Sequence, residues 1–416
     1  MATLTAARQN SGTRISLPRI TKPSVSAGTT VFLAYIFVGL TVQVGVLTQL
    51  GVAALEARSW FFITWMTTGL FSLVLSLFTR QPVSINLSIS AMVFIAGSAS
   101  RFSLAQILGA NLVVGVVAIG ISVLRPNHLI GRIMSPQIAI GVSAGAVMAF
   151  MWKTSLRAVD DPVYAAPVIG GFLVALAITR NHLLSVIAAA IVGFVGVIFA
   201  VGMPEAGGSM MQPAMALPAF DFNPSSLLAL GIPLLILTIG IGNLQVLAIL
   251  KSEGFNTPSN FYGFSAGAAS VVNALGGGHS AAIGGSSIAI TAGEAAGRKK
   301  SRFWAIALSS VPTILVAFAA IPVIAVVQDI PLSYTLTLSA LALTVSFRVL
   351  VMKTVTGPMR YGAMIAFVVA TLPLHFAGMP ITFWALLAGV AAAGVFESRQ
   401  LLQCWRPKRT VTLKDA

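Results

Sequence analysis

Few side chains in this sequence could bind a proton or an ion in apolar surroundings, and His279 is the most distinctive of them. It follows a run of glycines, whereas His128, His182 and His375 fall in the turns between apolar segments. An imidazole changes charge near neutral pH, so a histidine at such a position can relay a proton or donate a hydrogen bond to a carboxylate. The alternative is a neutral histidine that caps a helix.

Hydroxyl and amide side chains accompany two apolar segments that are far apart in the chain. Asn86, Ser88 and Ser90 lie just before the apolar run 91–96, and Ser286 and Ser287 lie near the start of a second run that ends at Ile290. Hydroxyl groups at such places either satisfy freed backbone groups or bind a carboxylate. We expect all five to line a substrate site, with backbone satisfaction as the alternative.

Further polar candidates lie inside or at the end of apolar segments. Gln43, Asn243 and Gln245 carry amides that need partners when they are buried, either on a neighbouring helix or, for Gln43 and Asn243, in a substrate cavity. Glu294 is the only acid near the interior of a span. It precedes Arg298 by four residues, which favours an ion pair on one helix, and proton coupling is its alternative role.

Several function classes are disfavoured by what the sequence does not contain. It has no H-E-x-x-H, no G-x-S-x-G and no phosphate-binding loop that ends in Gly-Lys-Ser or Gly-Lys-Thr. A single cysteine, Cys404, allows neither an internal disulfide nor a cysteine metal cluster. With only 10 acidic residues, we expect no metal site, no cofactor and no enzymatic activity.

The elements that position these residues must be membrane spans. Of 416 residues, 57% are hydrophobic and 8% are charged, against about a quarter charged in soluble domains. Segments such as 23–55, 254–293 and 361–396 carry no charge at all, and about 20 apolar residues suffice to cross a bilayer. The composition predicts an all-α polytopic membrane protein.

Charges, prolines and glycines divide the chain into about fourteen spans. We predict a cytoplasmic tail at 1–28, a first seven-span repeat at 29–202, a connecting loop at 203–224, a second repeat at 225–397 and a cytoplasmic tail at 398–416. With that topology only Arg58, Arg101, Lys153 and Arg157 of the 25 basic residues face outward, as the positive-inside rule requires. The net charge of +15 is therefore a topology signal, and we expect no nucleic-acid partner.

The two repeats are expected to be inverted. The segment Thr41–Gly51 in the first span resembles Asn243–Gly254 in the eighth, and related halves with an odd number of spans cross the membrane in opposite directions.

The third and tenth spans are both interrupted. Residues 82–90 alternate apolar and polar side chains, which predicts a strand, and the apolar run 91–96 that follows is only long enough for half a helix. Gly276–Ser280 similarly precedes the run that ends at Ile290. Extended backbone at membrane depth is tolerated where it lines a cavity. The pattern therefore predicts a midplane site at which the N-termini of half-helices face an anionic group.

On these residues the chain resembles the benzoate/proton symporter family, which is related to nucleobase permeases and sulfate carriers. The resemblance is carried by Arg80-Gln81-Pro82-Val83, by Asn243-Leu244 with Leu250–Phe255, and by Gly277-Gly278-His279 with Ile290 and Gly293. It implies a 7+7 inverted repeat with core and gate domains. It also implies a substrate between the broken third and tenth spans and the first and eighth, and a homodimer.

The expected function is proton-coupled import of a small aromatic carboxylate across the inner membrane, with His279 and Glu294 as candidates for coupling. The related nucleobase permeases carry a carboxylate in the middle of the eighth span. The matching residues of this chain, 237–242, include no acid, which disfavours a uracil-type substrate. A carrier for another organic or inorganic anion, or a passive channel or sensor of the same fold, is the alternative.

Overall fold

The computed structural model describes residues 18–98, 101–124, 136–204, 215–238, 244–255, 259–372, 375–376 and 379–405. In the first half of the chain the elements are α1 Lys22–Ala34, a π-helical segment Tyr35–Leu40, α2 Thr41–Leu50, α3 Ala54–Thr79, β1 Ile85–Leu87, α4 Ile89–Ser98, α5 Leu104–Leu124, α6 Pro136–Asp160, α7 Pro162–Thr179 and α8 His182–Val201.

The second half begins with a short helical turn and a second π-helical segment. Its elements are α9 Pro224–Ser226, the π-helical segment Leu227–Gly231, α10 Ile232–Leu235, α11 Leu244–Ser252, α12 Ser259–Leu275, β2 Ala281–Ile283, α13 Gly285–Thr291, 3-10 turns at Glu294–Ala296 and Lys299–Ser301, α14 Phe303–Ala317, α15 Ala320–Asp329, α16 Leu332–Thr356, α17 Arg360–Thr371, β3 His375–Phe376, β4 Met379–Pro380, α18 Ile381–Phe396 and α19 Ser398–Trp405.

The helices confirm a multi-pass, predominantly helical membrane protein. Within the described ranges, 7 helices are long and apolar enough to cross a bilayer, or 8 if the pair Lys299–Ala317 and Ala320–Asp329, bent by 66°, is one span. Shorter apolar helices, such as Ile89–Ser98 and Ile381–Phe396, accompany them. The count of about fourteen spans therefore stays a prediction.

The first helix begins at Lys22, inside the segment 1–28 that the charge pattern assigns to a tail. Thr21 and Ser24 form a capping box there, because the Thr21 hydroxyl accepts the N–H of Ser24 and the Ser24 hydroxyl accepts the N–H of Thr21. Reciprocal capping fixes a helix start before the apolar residues begin.

The helices pack in two groups, and each group draws helices from both halves of the chain. In one group α5 packs against α12, and α3 packs against α14, which in turn contacts α1. In the other group α6 packs against α16 and α17, α7 against α8, and α17 against α18. The helix α2 bridges the groups, since it contacts α16 of the second group and its Gln43 side chain hydrogen-bonds α3 of the first; α4 contacts α2 and α6. Two such groups are what a core and a gate domain require.

Glycines allow the closest helix pairs to approach each other. A Cβ atom on Gly267 of α12 would lie 2.9 Å from the backbone nitrogen of Ile119, and one on Gly115 of α5 would lie 2.9 Å from that of Val271. Lipid tails provide no hydrophobic drive between helices, so this close packing is what holds membrane helices together.

The third span is broken before its helix. α3 ends at Thr79, the next residue Arg80 has a left-handed φ of 52°, and Pro82 lies two residues further on. The chain then runs as β1 before α4 begins. In the second half β2 precedes α13 in the same way, and the two strands pair antiparallel with Ile85 opposite Ile283 and Leu87 opposite Ala281. Of the alternating residues 82–90, only 85–87 form a strand, and Ile89 and Ser90 already belong to α4.

One buried arginine ties together the ends of α11 and α13. Arg302 is 6% exposed, and its guanidinium forms an ion pair with Glu253 at 3.2 Å. The same side chain donates to the carbonyl oxygen of Gly297 at 2.9 Å and to that of Ala292, which follows the last residue of α13. A cation at this position also complements the negative end of the helix dipole.

Candidate substrate site

The pairing of β1 with β2 provides hydrogen-bond partners for the extended backbone of both broken spans. Strands of three residues each would leave N–H and C=O groups without partners in the bilayer, which costs several kcal/mol per group. The ladder satisfies the facing edges of the strands, and it continues past them because the N–H of Gly284 donates to the carbonyl oxygen of Ser84 at 2.8 Å. On the outer edges the Ser72 hydroxyl of α3 bonds the N–H and C=O of Ile85, and the Ser270 hydroxyl of α12 bonds those of Ala281. The paired strands and the serines of α3 and α12 therefore supply the backbone hydrogen bonds of both broken spans.

Four side chains form a hydrogen-bonded cluster at this crossing, which we call the crossing cluster: Tyr35, Ser84, Asn86 and Ser287. The Tyr35 hydroxyl donates to Oδ1 of Asn86 at 2.5 Å, and Nδ2 of Asn86 donates to the Ser287 hydroxyl at 3.2 Å. The hydroxyls of Ser84 and Ser287 are 2.5 Å apart. The cluster thus joins the first, third and tenth spans, and Ser84 and Ser287 are 203 residues apart in the chain.

Gly284 makes the close approach within the cluster possible. A Cβ atom at this position would lie 2.4 Å from the Ser84 hydroxyl and 2.5 Å from the side-chain amide of Asn86. Real Cβ contacts are longer than that, so another residue would push β1 away from the start of α13.

Tyr35 belongs to the cluster because the first span is π-helical at this point. The π-helical segment Tyr35–Leu40 is half-buried throughout, and such segments are frequent at functional sites. A Cβ atom on Gly39 in this segment would lie 3.8 Å from Cδ1 of Leu87, which places the segment beside β1. Tyr35 and Ser84 are not among the residues expected from the sequence. The signal for Tyr35 is a tyrosine in an apolar span, whose hydroxyl needs a partner when it is buried.

The predicted serines occupy three different positions. Ser287 is in the crossing cluster. Ser88 precedes α4 and its hydroxyl accepts the N–H of Ala91 at 3.4 Å, so it caps the half-helix. Ser90 is half-buried and makes no side-chain hydrogen bond to the residues that the structure describes, and Ser286 is exposed. Of the predicted substrate residues, the structure therefore joins Asn86 and Ser287 by a direct hydrogen bond.

The predicted amide residues also differ in where the structure places them. Gln43 is fully buried; its Nε2 donates to the Thr64 hydroxyl at 2.8 Å, and its Oε1 accepts the indole N–H of Trp65 at 2.7 Å. Both ends of this amide thus bind α3, which is the interhelical role left open by the sequence. Asn243 lies outside the described residues, and so does the side chain of Gln245.

His279 lies two residues before β2 and is fully buried. The indole N–H of Trp60 donates to its Nδ1 at 2.9 Å, and the two rings stack with centroids 5.6 Å apart. An indole nitrogen can only donate, so Nδ1 carries the lone pair and the proton of a neutral imidazole sits on Nε2. Nε2 has no hydrogen-bond partner among the described residues. No direct hydrogen bond joins His279 to the crossing cluster in the part of the chain that the structure describes.

Glu294 follows α13 in a 3-10 turn and is exposed. It forms no ion pair with Arg298 within the described ranges, because the 3-10 turn Glu294–Ala296 ends before Arg298 and the two residues do not share one helix. The expected spacing of four residues on a helix face is therefore absent here.

Two broken spans that cross as paired strands, within a bundle of apolar helices, define a multi-pass membrane transport protein. The sequence profile of a family described as benzoate membrane transport protein matches residues 19–395. The chain belongs to that family.

Solved structures with the same fold are distant in sequence. The transmembrane domain of the cyanobacterial bicarbonate transporter BicA aligns with a TM-score of 0.55 at 14% identity, over 92% of this chain and 97% of that one. Murine Solute Carrier 26 family member A9, an anion transporter in the inward-facing state, aligns with a TM-score of 0.57 at 10% identity, over 92% of this chain and 69% of that one. The chain has no match among curated protein sequences.

Proposed function

We propose that the protein imports a small aromatic carboxylate together with a proton, by alternating access, across the inner membrane with both termini cytoplasmic. The crossing cluster is the observation that carries the proposal, because it places hydroxyl and amide groups of three spans beside the start of α4. The family described as benzoate membrane transport protein supports benzoate as the first substrate to test. The anion-transporting neighbours support an anionic cargo.

The site offers separate surroundings for the two parts of such a substrate. The first N–H groups of α4, at Ile89 and Ser90, have no acceptor within the helix, and the positive end of the helix dipole favours a carboxylate there. The Ser90 hydroxyl lies in the same turn. Half-buried Leu87 and the π-helical segment of the first span provide apolar surface for an aromatic ring.

Charge balance and the geometry at His279 support the proposal of proton coupling. Moving one anion inward against a negative-inside potential costs about 2.3 kcal/mol per 100 mV, and an accompanying proton removes that cost. A proton on Nδ1 of His279 would face the indole N–H of Trp60 and break their hydrogen bond. Proton binding would therefore separate α3 from the segment that leads into β2. Glu294 is the second candidate, as an acid exposed where α13 ends.

The experiment that tests the proposal is uptake of radiolabelled benzoate into proteoliposomes, with and without an inward proton gradient. Benzoate should accumulate above equilibrium only with the gradient, and unlabelled aromatic acids should compete. Uptake that never exceeds equilibrium would indicate a passive channel. Competition by bicarbonate or sulfate, without competition by aromatic acids, would indicate a carrier for another anion.

A further inference from the structure

A second cavity lies at the opposite end of α4 from the crossing cluster. Its volume is about 570 Å³, within the range of about 300–1,000 Å³ that small-molecule sites occupy. Gly97 and Ser98 line it at the C-terminal end of α4, Phe150 and Lys153 line it on α6, and Thr382 lines it at the start of α18. α4 has 10 residues, so this cavity is about 15 Å from the start of α4 and is distinct from the candidate substrate site.

The cavity lies between the two helix groups. α4 belongs to a broken span that carries part of the crossing cluster, whereas α6, α17 and α18 belong to the group that would form the gate. Gln49, near the end of α2, completes the lining. A ligand in this position would therefore contact both parts of the protein that alternating access moves relative to each other.

The polar groups of the cavity call for a hydrogen-bond acceptor. Gln49 and Thr382 line the cavity, and Nε2 of Gln49 and the hydroxyl of Thr382 are buried behind its wall with no partner among the described residues. An amide nitrogen only donates, and leaving such a donor unpaired costs about 1–3 kcal/mol.

The charge of the cavity lining also favours an anionic ligand. Lys153 is its charged residue, and none of the described residues that line it is acidic. Phe94 and Phe150, which are 2% and 4% exposed, provide apolar walls together with Val93 and Ala146. A site with one ammonium group, unpaired donors and aromatic walls fits an amphipathic monoanion.

We infer that this cavity is a second binding site for an aromatic carboxylate. The carboxylate binds Lys153, and rotation of the Gln49 and Thr382 side chains brings their unpaired donors to it, while the ring packs against Phe94 and Phe150. The site captures the anion at the face of the protein where Lys153 lies, before the anion reaches the crossing cluster. The inference rests on the proposed function for the identity of the ligand, whereas its charge preference follows from the lining alone.

Cysteine labelling in lipid nanodiscs, where both faces are accessible, tests the site. In a Cys404→Ser background, a Gly97→Cys substitution places a thiol in the cavity, since a Cβ atom there meets nothing within 4 Å. An Ala219→Cys substitution, in the exposed segment that precedes α9, is the control thiol in water. The probes are an anionic sulfonatoethyl and a cationic trimethylammonioethyl methanethiosulfonate.

The expected result is that the anionic probe labels the Gly97→Cys variant about five times faster than the cationic probe, relative to their rates at the Ala219→Cys control. A Lys153→Gln substitution should remove this preference, and a Lys251→Gln substitution, on an exposed lysine that ends α11, should not. Benzoate should slow labelling at Gly97→Cys only. Equal rates of the two probes, or a preference that survives Lys153→Gln, would overturn the inference.

Uptake measurements on the same variants separate this inference from the proposed function. Benzoate uptake without protection of the Gly97→Cys thiol would overturn the second site and leave the proposed function standing. Protection of that thiol by benzoate, in a protein that transports no benzoate, would support the second site and contradict the proposed function.

Discussion

Trp60 donates its indole N–H to Nδ1 of His279 across 2.9 Å, and this bond connects α3 of the first half to the segment that leads into β2 of the second. The bond exists only while Nδ1 keeps its lone pair. His279 lies outside the crossing cluster, but a change in its protonation state can therefore still affect β2, the strand that helps to build the cluster.

Replacing His279 should separate benzoate binding from coupling to the proton gradient. The amide oxygen of a His279→Gln variant can still accept the Trp60 N–H, but the side chain cannot be protonated. We expect benzoate counterflow to persist in proteoliposomes and accumulation driven by the proton gradient to disappear. Unchanged accumulation would remove His279 from the coupling step and leave Glu294 as the residue to test.

The indole of Trp60 has a matched control in Trp65. Both side chains are 1% exposed, and each makes an indole hydrogen bond, Trp60 to His279 and Trp65 to Gln43 at 2.7 Å. A Trp60→Phe substitution should abolish the dependence of uptake on the proton gradient, while Trp65→Phe should lower thermal stability and retain that dependence. Equal losses of gradient dependence in the two variants would show that the Trp60 bond is only structural.

Ser287 is predicted to contribute to substrate affinity through the crossing cluster. A Ser287→Ala substitution removes its bonds to Ser84 and Asn86, and a loss of about 1 kcal/mol corresponds to a rise of about fivefold in the KM for uptake. Ser309→Ala is the control, because that buried hydroxyl donates to the carbonyl oxygen of Ile306 in its own helix. A wild-type KM in the Ser287→Ala variant would place the substrate elsewhere.

The space around Gly284 is predicted to be essential for the strand crossing. A Gly284→Ala substitution forces the methyl group against Ser84 and Asn86, and overpacking of this kind costs about 1–3 kcal/mol. We expect a lower Tm in detergent and a loss of uptake. Gly120→Ala, at a helical position where a Cβ atom meets nothing within 4 Å, should change neither. Normal uptake by the Gly284→Ala variant would contradict this requirement.

Arg302 is predicted to be a stability residue rather than a transport residue. Removing one partner of a buried ion pair costs about 3–5 kcal/mol, and Glu253 is 35% exposed, so we expect a smaller loss for the Arg302→Gln variant. Its Tm should fall by several degrees while the KM of the surviving protein stays unchanged. The exposed Arg298 provides the control substitution, Arg298→Gln, which should leave the Tm at the wild-type value.

Local sequence patterns predict the breaks in the third and tenth spans well, because the residues that interrupt each helix lie at the break itself. The alternation around Asn86 and the glycines before His279 determine where a helix cannot continue, and both β1 and β2 lie there. The pairing of the two strands is not a local property. It joins residues about 200 positions apart, so the sequence suggests two sites of extended backbone without showing that they form one ladder.

Some predicted site residues meet in the structure and others do not, because long-range packing is not a local property of the sequence. The sequence marks Asn86 because it precedes a half-helix and Ser287 because it lies near the start of another, and the two side chains do meet. Gln43 has the same polarity and depth, but its partners lie on α3, and only the packing angle of α2 against α3 determines this. Tyr35 was missed because the π-helical segment, which a helical repeat does not predict, brings its hydroxyl to Asn86.

The ladder between β1 and β2 also sets an order of events during synthesis. The chain is completed at about 5–20 residues per second, and Leu87 pairs with Ala281, so the polar backbone of β1 leaves the ribosome roughly 10–40 s before its partner. Over that interval the third span has no ladder to satisfy its peptide groups. The nascent first half must therefore wait in contact with the insertion machinery, or with water, until the tenth span arrives to release it into the lipid.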